Sequence, residues 1–226
     1  MTWNPVTGCS KISPGCDHCY AERMAKRLRA MGVERYRRAF DVTLHYDLLD
    51  APKNWLNPRL VFVNSMSDLF HEQVPTSFIR EVFKTMGDCP RHTFQILTKR
   101  SGRLLAIADQ LDWKPNIWMG VTVETPAFIS RIKHLAKVPA HVRFLSIEPL
   151  LAPITNLPLS GIHWVIVGGE SGPGARPMRQ NWVESILRDC RRQGVAFFFK
   201  QWGGVRKGQA GRVLNGRTYS EMPSPA

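Results

Sequence analysis

FQILTKRSGRLLAIADQLDWKPNIWMGVT, residues 94–122, contains one complete repeat of the pattern that predicts the fold. The apolar run at 94–98 is followed by a helix-like segment at 101–111 and by a second apolar run at 117–122. Runs that are apolar throughout, instead of alternating with polar residues, indicate strands buried on both faces. This stretch therefore predicts two parallel strands that are connected through a helix.

The same order of strand and helix extends along the chain in both directions. Further predicted strands are LVFVN (60–64), RFLSIE (143–148), HWVIVGG (163–169) and VAFFFKQ (195–201), and further predicted helices lie near 76–87, 126–136 and 180–193. Because no linker rich in Pro or Ser divides this series, we expect one α/β domain over residues 1–219, with right-handed crossovers between parallel strands. Within it, about 211–219 is predicted to be a hairpin turning at Asn215-Gly216, and 220–226 a flexible tail.

The chain lacks the sequence features of export and of membrane insertion. No apolar segment is long enough to cross a bilayer, and the first residues, MTWNPVTGCS, lack the basic and apolar regions of a signal peptide. We therefore expect a cytoplasmic protein. In that reducing compartment cysteines are more often metal ligands or redox groups than disulfides, and the odd number of five favours the same interpretation. Cys89 and Cys190 stand alone and are expected to be ordinary buried residues.

The other three cysteines lie in GCSKISPGCDHCY, residues 8–20, which we call the cysteine loop. Cys16 and Cys19 are separated by two residues, so both thiolates reach one metal centre, and Cys9 approaches it across the loop. A zinc site needs a fourth ligand. His18 is a candidate, but between two cysteines its side chain normally points away from a shared metal. A four-iron cluster held by three cysteines instead leaves one iron open for catalysis, and we favour that interpretation.

The charge of the chain is strongly positive. It has 31 Lys and Arg residues against 18 Asp and Glu, a formal net charge of +13. Such a field attracts polyanions, so nucleic acid is the expected partner, although a charge excess also serves solubility alone. Much of the excess follows the cysteine loop, at positions that are predicted to contact phosphates: Arg23, Lys26, Arg27, Arg29, Arg35, Arg37 and Arg38.

Polar residues follow nearly every predicted strand. The carboxyl ends of parallel strands are where such folds bind ligands. One or two of these residues would serve as helix caps, but a polar group after almost every strand predicts a pocket, and together with the cysteine loop it predicts an active site. The residues are Asn64, Ser65, Ser67, Asp68, Thr98, Lys99, Arg100, Thr122, Glu124, Glu148, Glu170, Lys200 and Gln201.

The cysteine loop and its surroundings resemble a known group of enzymes. The three cysteines resemble the cluster loop of radical S-adenosylmethionine (SAM) enzymes, with six residues between the first two cysteines in place of the usual three. WNPVTGCSKISPGCDHCYAERMAKR, together with VNSMSDLFH, LTKR, GVTVE, LSIEPLL, VIVGGESGPGARP, FFFKQWGG and LNGRTYSEMP, resembles a family of phage-encoded and bacterial three-cysteine proteins that are radical-SAM-like. The resemblance implies a partial (β/α)6-type parallel barrel whose first strand is short or missing.

The resemblance also implies two cofactors and the residues that hold them. Cys9, Cys16 and Cys19 would bind a [4Fe-4S] cluster that coordinates SAM, and an external donor would supply an electron. The Gly-Gly-Glu that holds the SAM amino group in many such enzymes comes late here, at 168–170, so that role is assigned to Ser65, Ser67 or Asp68. The other assignments are Lys99 or Arg100 for the SAM carboxylate, Thr122 and Glu124 for ribose or substrate, and Glu148, Glu170 and Lys200 for substrate positioning or proton transfer.

The implied reaction is abstraction of a hydrogen atom from the substrate by a 5′-deoxyadenosyl radical. The basic charge and the phage context of the resemblance favour a nucleic-acid base or nucleotide, for example a hypermodified thymine of phage DNA that is rearranged in the host cytoplasm. A base in a duplex would be flipped out and would stack on Trp3, Trp118 or Trp202. The alternatives are modification of a peptide and a zinc-stabilised nucleic-acid-binding module without catalysis.

Overall fold

Seven parallel strands form the main sheet of the computed structural model, which describes residues 1–206 and 209–224. The strands are β1 (Thr2–Trp3), β2 (Val6–Thr7), β3 (Thr43–Leu44), β4 (Leu60–Val63), β5 (Thr93–Thr98), β6 (Ile117–Thr122), β7 (Val142–Ile147), β8 (Trp164–Gly168) and β9 (Ala196–Gln201). The sheet order is β1-β4-β5-β6-β7-β8-β9, while β2 and β3 form a separate antiparallel pair. The sheet curls into a half-barrel, which confirms the prediction of a parallel α/β fold.

The first strand of the sheet is very short. β1 has two residues, Thr2 and Trp3, which pair in parallel with Phe62 and Val63 of β4. The six strands β4 to β9 that follow it are the six predicted from apolar runs, with ends within one or two residues of the predicted ones. The expectation of a reduced first strand is therefore confirmed.

Five α-helices connect the strands. They are α1 (Tyr20–Ala30), α2 (Thr76–Gly87), α3 (Ser101–Ile107), α4 (Ser130–Leu135) and α5 (Gln180–Gln193). Two of the predicted helices are only partly α-helical. The 3-10 turn Ala108–Gln110 follows α3, and the 3-10 turn Pro126–Phe128 precedes α4. None of the helices in the described part of the chain is long and apolar enough to cross a membrane.

Apolar side chains cover both faces of the sheet. On the outer face, Met119 and Val121 of β6 enter a large core with the helices, to which α2 contributes Phe78, Val82 and other side chains one turn apart. On the inner face, Trp118 packs in a second cluster of aromatic residues. Successive residues of one strand thus enter different apolar layers, which explains why its sequence is apolar throughout.

The end of the chain packs against β9. Leu214 and Arg217 form an antiparallel bridge, and Asn215 and Gly216 between them both have positive φ (51° and 75°), as the predicted two-residue hairpin turn requires. Ser220 and Glu221, assigned from sequence to a flexible tail, are instead attached to the sheet. Ser220 pairs with Phe198, and the Glu221 carboxylate accepts a hydrogen bond from the Phe197 backbone at 2.9 Å. Residues 225 and 226 of the predicted tail lie outside the described residues.

Candidate active site

A cavity of about 710 Å³ lies at the carboxyl ends of the parallel strands. The three cysteines of the cysteine loop line one part of its wall, as the sequence predicts. Parallel strands end at the same edge of a sheet, which is why polar residues far apart in sequence meet here. The predicted site residues that line the cavity are Ser65, Ser67, Asp68, Lys99, Arg100, Thr122, Glu148, Glu170 and Lys200.

Backbone contacts position the cysteine loop. Gly8 has φ +85°, and a Cβ there would lie 2.1 Å from the carbonyl oxygen of Asp41, so only glycine fits this close approach. The backbone N–H of Gly8 donates to the carbonyl oxygen of Met66 at 3.0 Å, and that of Cys9 to the carbonyl oxygen of Phe40 at 3.1 Å. The loop then turns at Pro14–Cys16 and leads into α1 directly after Cys19. The beginning of the loop is therefore bound to the chain on two sides.

Arg100 holds the first cysteine. Its Nη1 lies 3.4 Å from Cys9 Sγ and 3.1 Å from Asp68 Oδ2, its Nε donates to Glu72, and its Nη2 donates to both oxygens of Ser10. Burial and the nearby Asp68 raise the pKa of Cys9 to about 11 in spite of the opposing charge of Arg100. Arg100 therefore directs its donors to the cysteine loop and its carboxylate neighbours. The neighbouring Lys99 lines the cavity, and its Nζ lies 3.8 Å from Glu124 Oε1.

Three residues that follow β4 were assigned to the SAM amino group. Asp68 is buried, and its carboxylate accepts hydrogen bonds from the Thr98 hydroxyl (2.7 Å) and from the Lys99 backbone (3.2 Å) as well as from Arg100. Ser65 and Ser67 line the cavity while their hydroxyl protons are donated to the chain. Their oxygen lone pairs are therefore the acceptors that remain for an ammonium group.

Thr122 and Glu124, two residues apart, have different surroundings. Glu124 is fully buried behind the cysteine loop, where it accepts hydrogen bonds from Ser13 (2.5 Å) and Arg131 (2.8 Å), and a Cβ on Gly15 would lie 2.5 Å from its Oε1. Glu124 does not line the cavity, and its carboxylate anchors the cysteine loop instead. The prediction that it contacts ribose or substrate is therefore wrong. Thr122 does line the cavity.

Two buried polar atoms at the cavity have no hydrogen-bond partner among the described residues. They are Thr122 Oγ1 and Asn64 Nδ2, and both residues line the cavity. Leaving a buried donor or acceptor unpaired costs about 1–3 kcal/mol, so such atoms point to a polar ligand. Asn64 has φ +60° and accepts a hydrogen bond from the Val6 backbone at 3.3 Å. The sequence places Asn64 among the polar residues that follow the strands but assigns it no individual role. The structure adds its left-handed backbone, which is uncommon for a residue other than glycine and is often found at functional sites.

Glu170 belongs to a network that joins the segment after β8 to the cysteine loop. Its carboxylate lies 3.1 Å from His18 Nδ1 and 2.6 Å from Arg176 Nη2, and Arg176 also donates to the carbonyl oxygen of Pro14 at 2.8 Å. Burial raises the pKa of Glu170, but the hydrogen bonds from Arg176 and His18 outweigh it and lower the pKa to about 2. Glu170 is therefore ionised near neutral pH, which suits positioning and does not suit proton donation. Sequence reasoning did not identify Arg176.

Glu148 and Lys200 form an ion pair at the cavity wall. Lys200 Nζ lies 2.9 Å from Glu148 Oε2, and the Lys200 side chain is 52% exposed. Gln201 Nε2 donates to the Ser171 hydroxyl at 2.7 Å beside this pair. The two charged groups come from the ends of β7 and β9, and both line the cavity at the edge of the sheet where the sequence places them.

The basic segment after the cysteine loop is largely paired with carboxylates. Lys26 contacts Glu22, Arg35 contacts Asp47, Arg37 contacts Glu34, and Arg38 lies 3.7 Å from Asp41. Arg23 lines the cavity, whereas the other six predicted phosphate contacts do not: Lys26, Arg27, Arg29, Arg35, Arg37 and Arg38. Surface ion pairs of this kind are individually weak, yet they reduce the charge that is available to phosphate.

None of the three tryptophans that were predicted to stack on a base lines the cavity. Trp3 and Trp118 are buried in apolar clusters. Trp202 packs edge-on against Phe199 and donates its indole N–H to the carbonyl oxygen of Val213. The prediction is therefore wrong for all three, because their rings fill the interior or support the C-terminal segment. The exposed aromatic residue that does line the cavity is Tyr20.

The described residues contain no group of three His, Cys, Asp or Glu side chains placed closely enough to hold a single metal ion. Zinc–sulfur bonds of about 2.3 Å in a tetrahedral site bring sulfur ligands to about 3.8 Å from each other. Thiolates on different irons of a cluster stand farther apart, with the cluster between them. The three thiols of the cysteine loop line one cavity.

Comparison with known proteins gives one match. A family model described as "Protein of unknown function (DUF5131)" matches residues 1–223. Neither the curated proteins nor the solved structures contain a match to the chain.

Proposed function

The chain belongs to the DUF5131 family, and we propose that this member is a radical SAM enzyme. The observation that supports the proposal is that Cys9, Cys16 and Cys19 line one cavity together with Asn64 and Thr122. Each of these two residues has a buried polar side-chain atom without a partner among the described residues. A parallel half-barrel with a ligand cavity at the carboxyl ends of its strands is compatible with a barrel of the radical SAM kind. The proposal thus rests on the site and its chemistry together.

Three thiols and no fourth ligand suit a [4Fe-4S] cluster with one open iron. Cys9, Cys16 and Cys19 would hold this cluster. Arg100 would keep Cys9 in place, and Glu124 would hold the middle of the cysteine loop through Ser13. The alternative of a zinc-stabilised module leaves the polar residues at the strand ends without a role, and the metal analysis described below decides between the two.

Residues around the cavity would bind SAM by its polar groups. Ser65 and Ser67 offer oxygen lone pairs to the ammonium group. Lys99, whose Nζ lies 3.8 Å from Glu124 Oε1 without a hydrogen bond to it, offers its ammonium donors to the carboxylate. Thr122 Oγ1 and Asn64 Nδ2 would complete their hydrogen bonding with the ribose or the adenine.

When bound, a cluster held by Cys9, Cys16 and Cys19 would pass one electron from an external donor to SAM, which would supply radical chemistry that removes a hydrogen atom from the substrate and releases methionine. The protein orients the substrate and excludes water. The Glu148–Lys200 pair is well placed to bind the substrate, because both groups line the cavity and Lys200 is half exposed. Glu170 would position His18 and Arg176 around the cysteine loop.

The substrate we propose is a nucleic-acid base or nucleotide, such as a hypermodified thymine that is rearranged by isomerase or transferase-like chemistry. The net charge of +13 supports an anionic substrate. The cations Arg23, Lys99 and Lys200 lie in the cavity wall. The cavity wall also carries the carboxylates Asp68, Glu148 and Glu170, so the charge of the whole chain, and not that of the wall, favours a nucleotide over a peptide. A peptide substrate therefore becomes an outcome of the test below.

The test of cofactor content is anaerobic purification and reconstitution, followed by iron, sulfide and zinc analysis. We expect about four irons per chain and an absorption band from thiolate-to-iron charge transfer. Cys9→Ala, Cys16→Ala and Cys19→Ala should each abolish the cluster. The matched controls Cys89→Ala and Cys190→Ala, at buried cysteines away from the cavity, should retain it. Stoichiometric zinc without iron would contradict the proposal.

The test of activity is conversion of SAM to 5′-deoxyadenosine and methionine in the presence of dithionite. Lys200→Gln and Glu148→Gln should reduce formation of modified product more than uncoupled SAM cleavage, because both residues act on the substrate. Nucleotides, single-stranded and duplex DNA, RNA and peptides are compared by the rate of cleavage that each stimulates. An intact, reducible cluster that neither binds nor cleaves SAM would overturn the proposed activity.

A further inference from the structure

The exposed face of α1 carries one aromatic ring and two arginines in a continuous strip. We call Tyr20, Arg23 and Arg27 the α1 strip. Residues three, four and seven apart lie on the same side of a helix, so these three side chains are neighbours. The opposite side of α1 is buried at Ala21 and Ala25. The Tyr20 side chain is 58% exposed, whereas aromatic rings are on average largely buried.

The α1 strip begins at the cavity and leads away from it. Tyr20 and Arg23 line the cavity beside Cys19, and Arg23 Nη2 donates to the carbonyl oxygen of Ser171 at 3.3 Å. Arg27 lies one helical turn beyond Arg23, about 6 Å farther along the axis. A ligand that enters the cavity past Tyr20 therefore has two guanidinium groups along its path.

The charge of the α1 strip is not neutralised within the described part of the chain. Arg35 and Arg37 pair with Asp47 and Glu34, whereas Arg23 and Arg27 form no ion pair with a carboxylate in residues 1–206 and 209–224. A guanidinium without a carboxylate partner is the group that a phosphate can engage. The strip, rather than the segment around 35–38, is therefore the phosphate-binding part of this basic region.

We infer that the α1 strip binds single-stranded nucleic acid, with a base stacked on Tyr20 and successive phosphates on Arg23 and Arg27. An aromatic platform beside a line of cations is how proteins hold unpaired strands. A strand in this position presents an unstacked base to the cavity, which a paired base in a duplex cannot reach. The inference rests on the proposed function for what happens to that base, but strand binding itself does not require the cluster.

Binding is measured by fluorescence anisotropy with labelled single-stranded DNA and RNA of one sequence, the matching duplex and a free mononucleotide. We expect the single strands to bind most tightly. Tyr20→Ala should weaken their binding roughly 5- to 100-fold, the loss typical of one stacked base, while Tyr20→Phe retains it. Arg23→Gln and Arg27→Gln should each lower the slope of log affinity against log salt by about 0.7, the contribution of one phosphate contact.

Arg37→Gln is the matched control, since Arg37 is exposed on the same basic segment but is paired with Glu34. It should leave affinity and salt slope unchanged. The comparison uses variants whose circular dichroism and melting temperature match those of the parent protein. Three results would each overturn the inference: equal effects of Arg37→Gln and Arg27→Gln, tighter binding of the duplex than of the single strands, or unchanged strand binding by Tyr20→Ala.

Iron content measured on the same samples keeps the two proposals apart. Strand binding without iron would refute the radical SAM proposal and leave this inference standing. A full cluster without strand binding would refute the inference alone.

Discussion

Arg100 Nη1 lies 3.4 Å from the sulfur of Cys9, although the two residues are 91 positions apart in the chain. Arg100 follows β5 and also contacts Asp68, which follows β4. The cysteine loop is therefore fastened to the ends of two strands of the half-barrel. Because the guanidinium is buried and contacts both the sulfur and carboxylates, the site and the fold depend on the same side chain.

Arg100→Lys should lower the iron content of the reconstituted protein and destabilise it. Lysine keeps the charge but cannot reach Cys9, Asp68 and Ser10 at once, and each lost buried hydrogen bond to a charged group costs about 1.5–3 kcal/mol. Iron analysis and thermal unfolding measure the two effects. Arg80→Lys, whose parent residue contacts only Gln110 at the surface, is the control. Full iron content in Arg100→Lys would show that this contact is not needed to hold Cys9.

Gly15→Ala should displace the cysteine loop. A Cβ on Gly15 would lie 2.5 Å from Glu124 Oε1, and the fully buried Glu124 carboxylate is held by hydrogen bonds from Ser13 and Arg131. We expect less iron per chain and a lower melting temperature. Gly102→Ala is the matched control, because its Cβ meets nothing within 4 Å. In helix α3 that change should stabilise the protein by about 0.5–1 kcal/mol. Equal behaviour of the two variants would contradict this account of the loop.

Thr122→Val should weaken SAM binding without reducing stability. The side chains have nearly the same shape, and the Thr122 hydroxyl is unpaired among the described residues, so its removal costs the unliganded protein nothing. If the hydroxyl binds SAM, its loss should lower the affinity by about two- to tenfold, the value of one hydrogen bond. Equilibrium binding of SAM at constant iron content measures this. Unchanged affinity would remove Thr122 from the SAM site.

The stability of the protein should fall as the medium becomes acidic, in part because of His92. This side chain is fully buried, and its Nε2 donates to the carbonyl oxygen of Pro52 at 3.2 Å. Burial lowers the pKa of His92 from 6.5, the hydrogen bond to Pro52 opposes this, and the charges of Arg91 and Arg59 add to the lowering. The unfolded chain therefore takes up a proton at higher pH than the folded chain, so the free energy of unfolding decreases below about pH 6.5.

His92→Gln removes this titrating group and should reduce the loss of stability between about pH 7 and pH 5. Urea unfolding at a series of pH values measures that loss. His141→Gln, at an exposed histidine, should leave the pH dependence unchanged. The explanation would fail if both variants kept the full pH dependence of the parent.

The sequence by itself determined the strands, the helices and the edge of the sheet where the site lies. The apolar run at 117–122 became β6 with the predicted ends, because a strand covered on both faces needs apolar residues at every position. It also placed Glu148 and Lys200 at the same edge of the sheet, since the carboxyl ends of parallel strands share one edge. The pattern of apolar residues along the chain predicts the strands, and their parallel direction predicts which of their ends lie together.

Only the tertiary structure decided which of the polar residues face the cavity and which support it. Thr122 and Glu124 follow the same strand two residues apart, yet the hydroxyl lines the cavity and the carboxylate is buried against Ser13 and Arg131. Ser13 is 111 residues from Glu124, so no local pattern encodes their contact. The physical reason is the cost of burying an unpaired charge: a carboxylate is buried where the folded chain brings it partners, and those partners come from distant parts of the sequence.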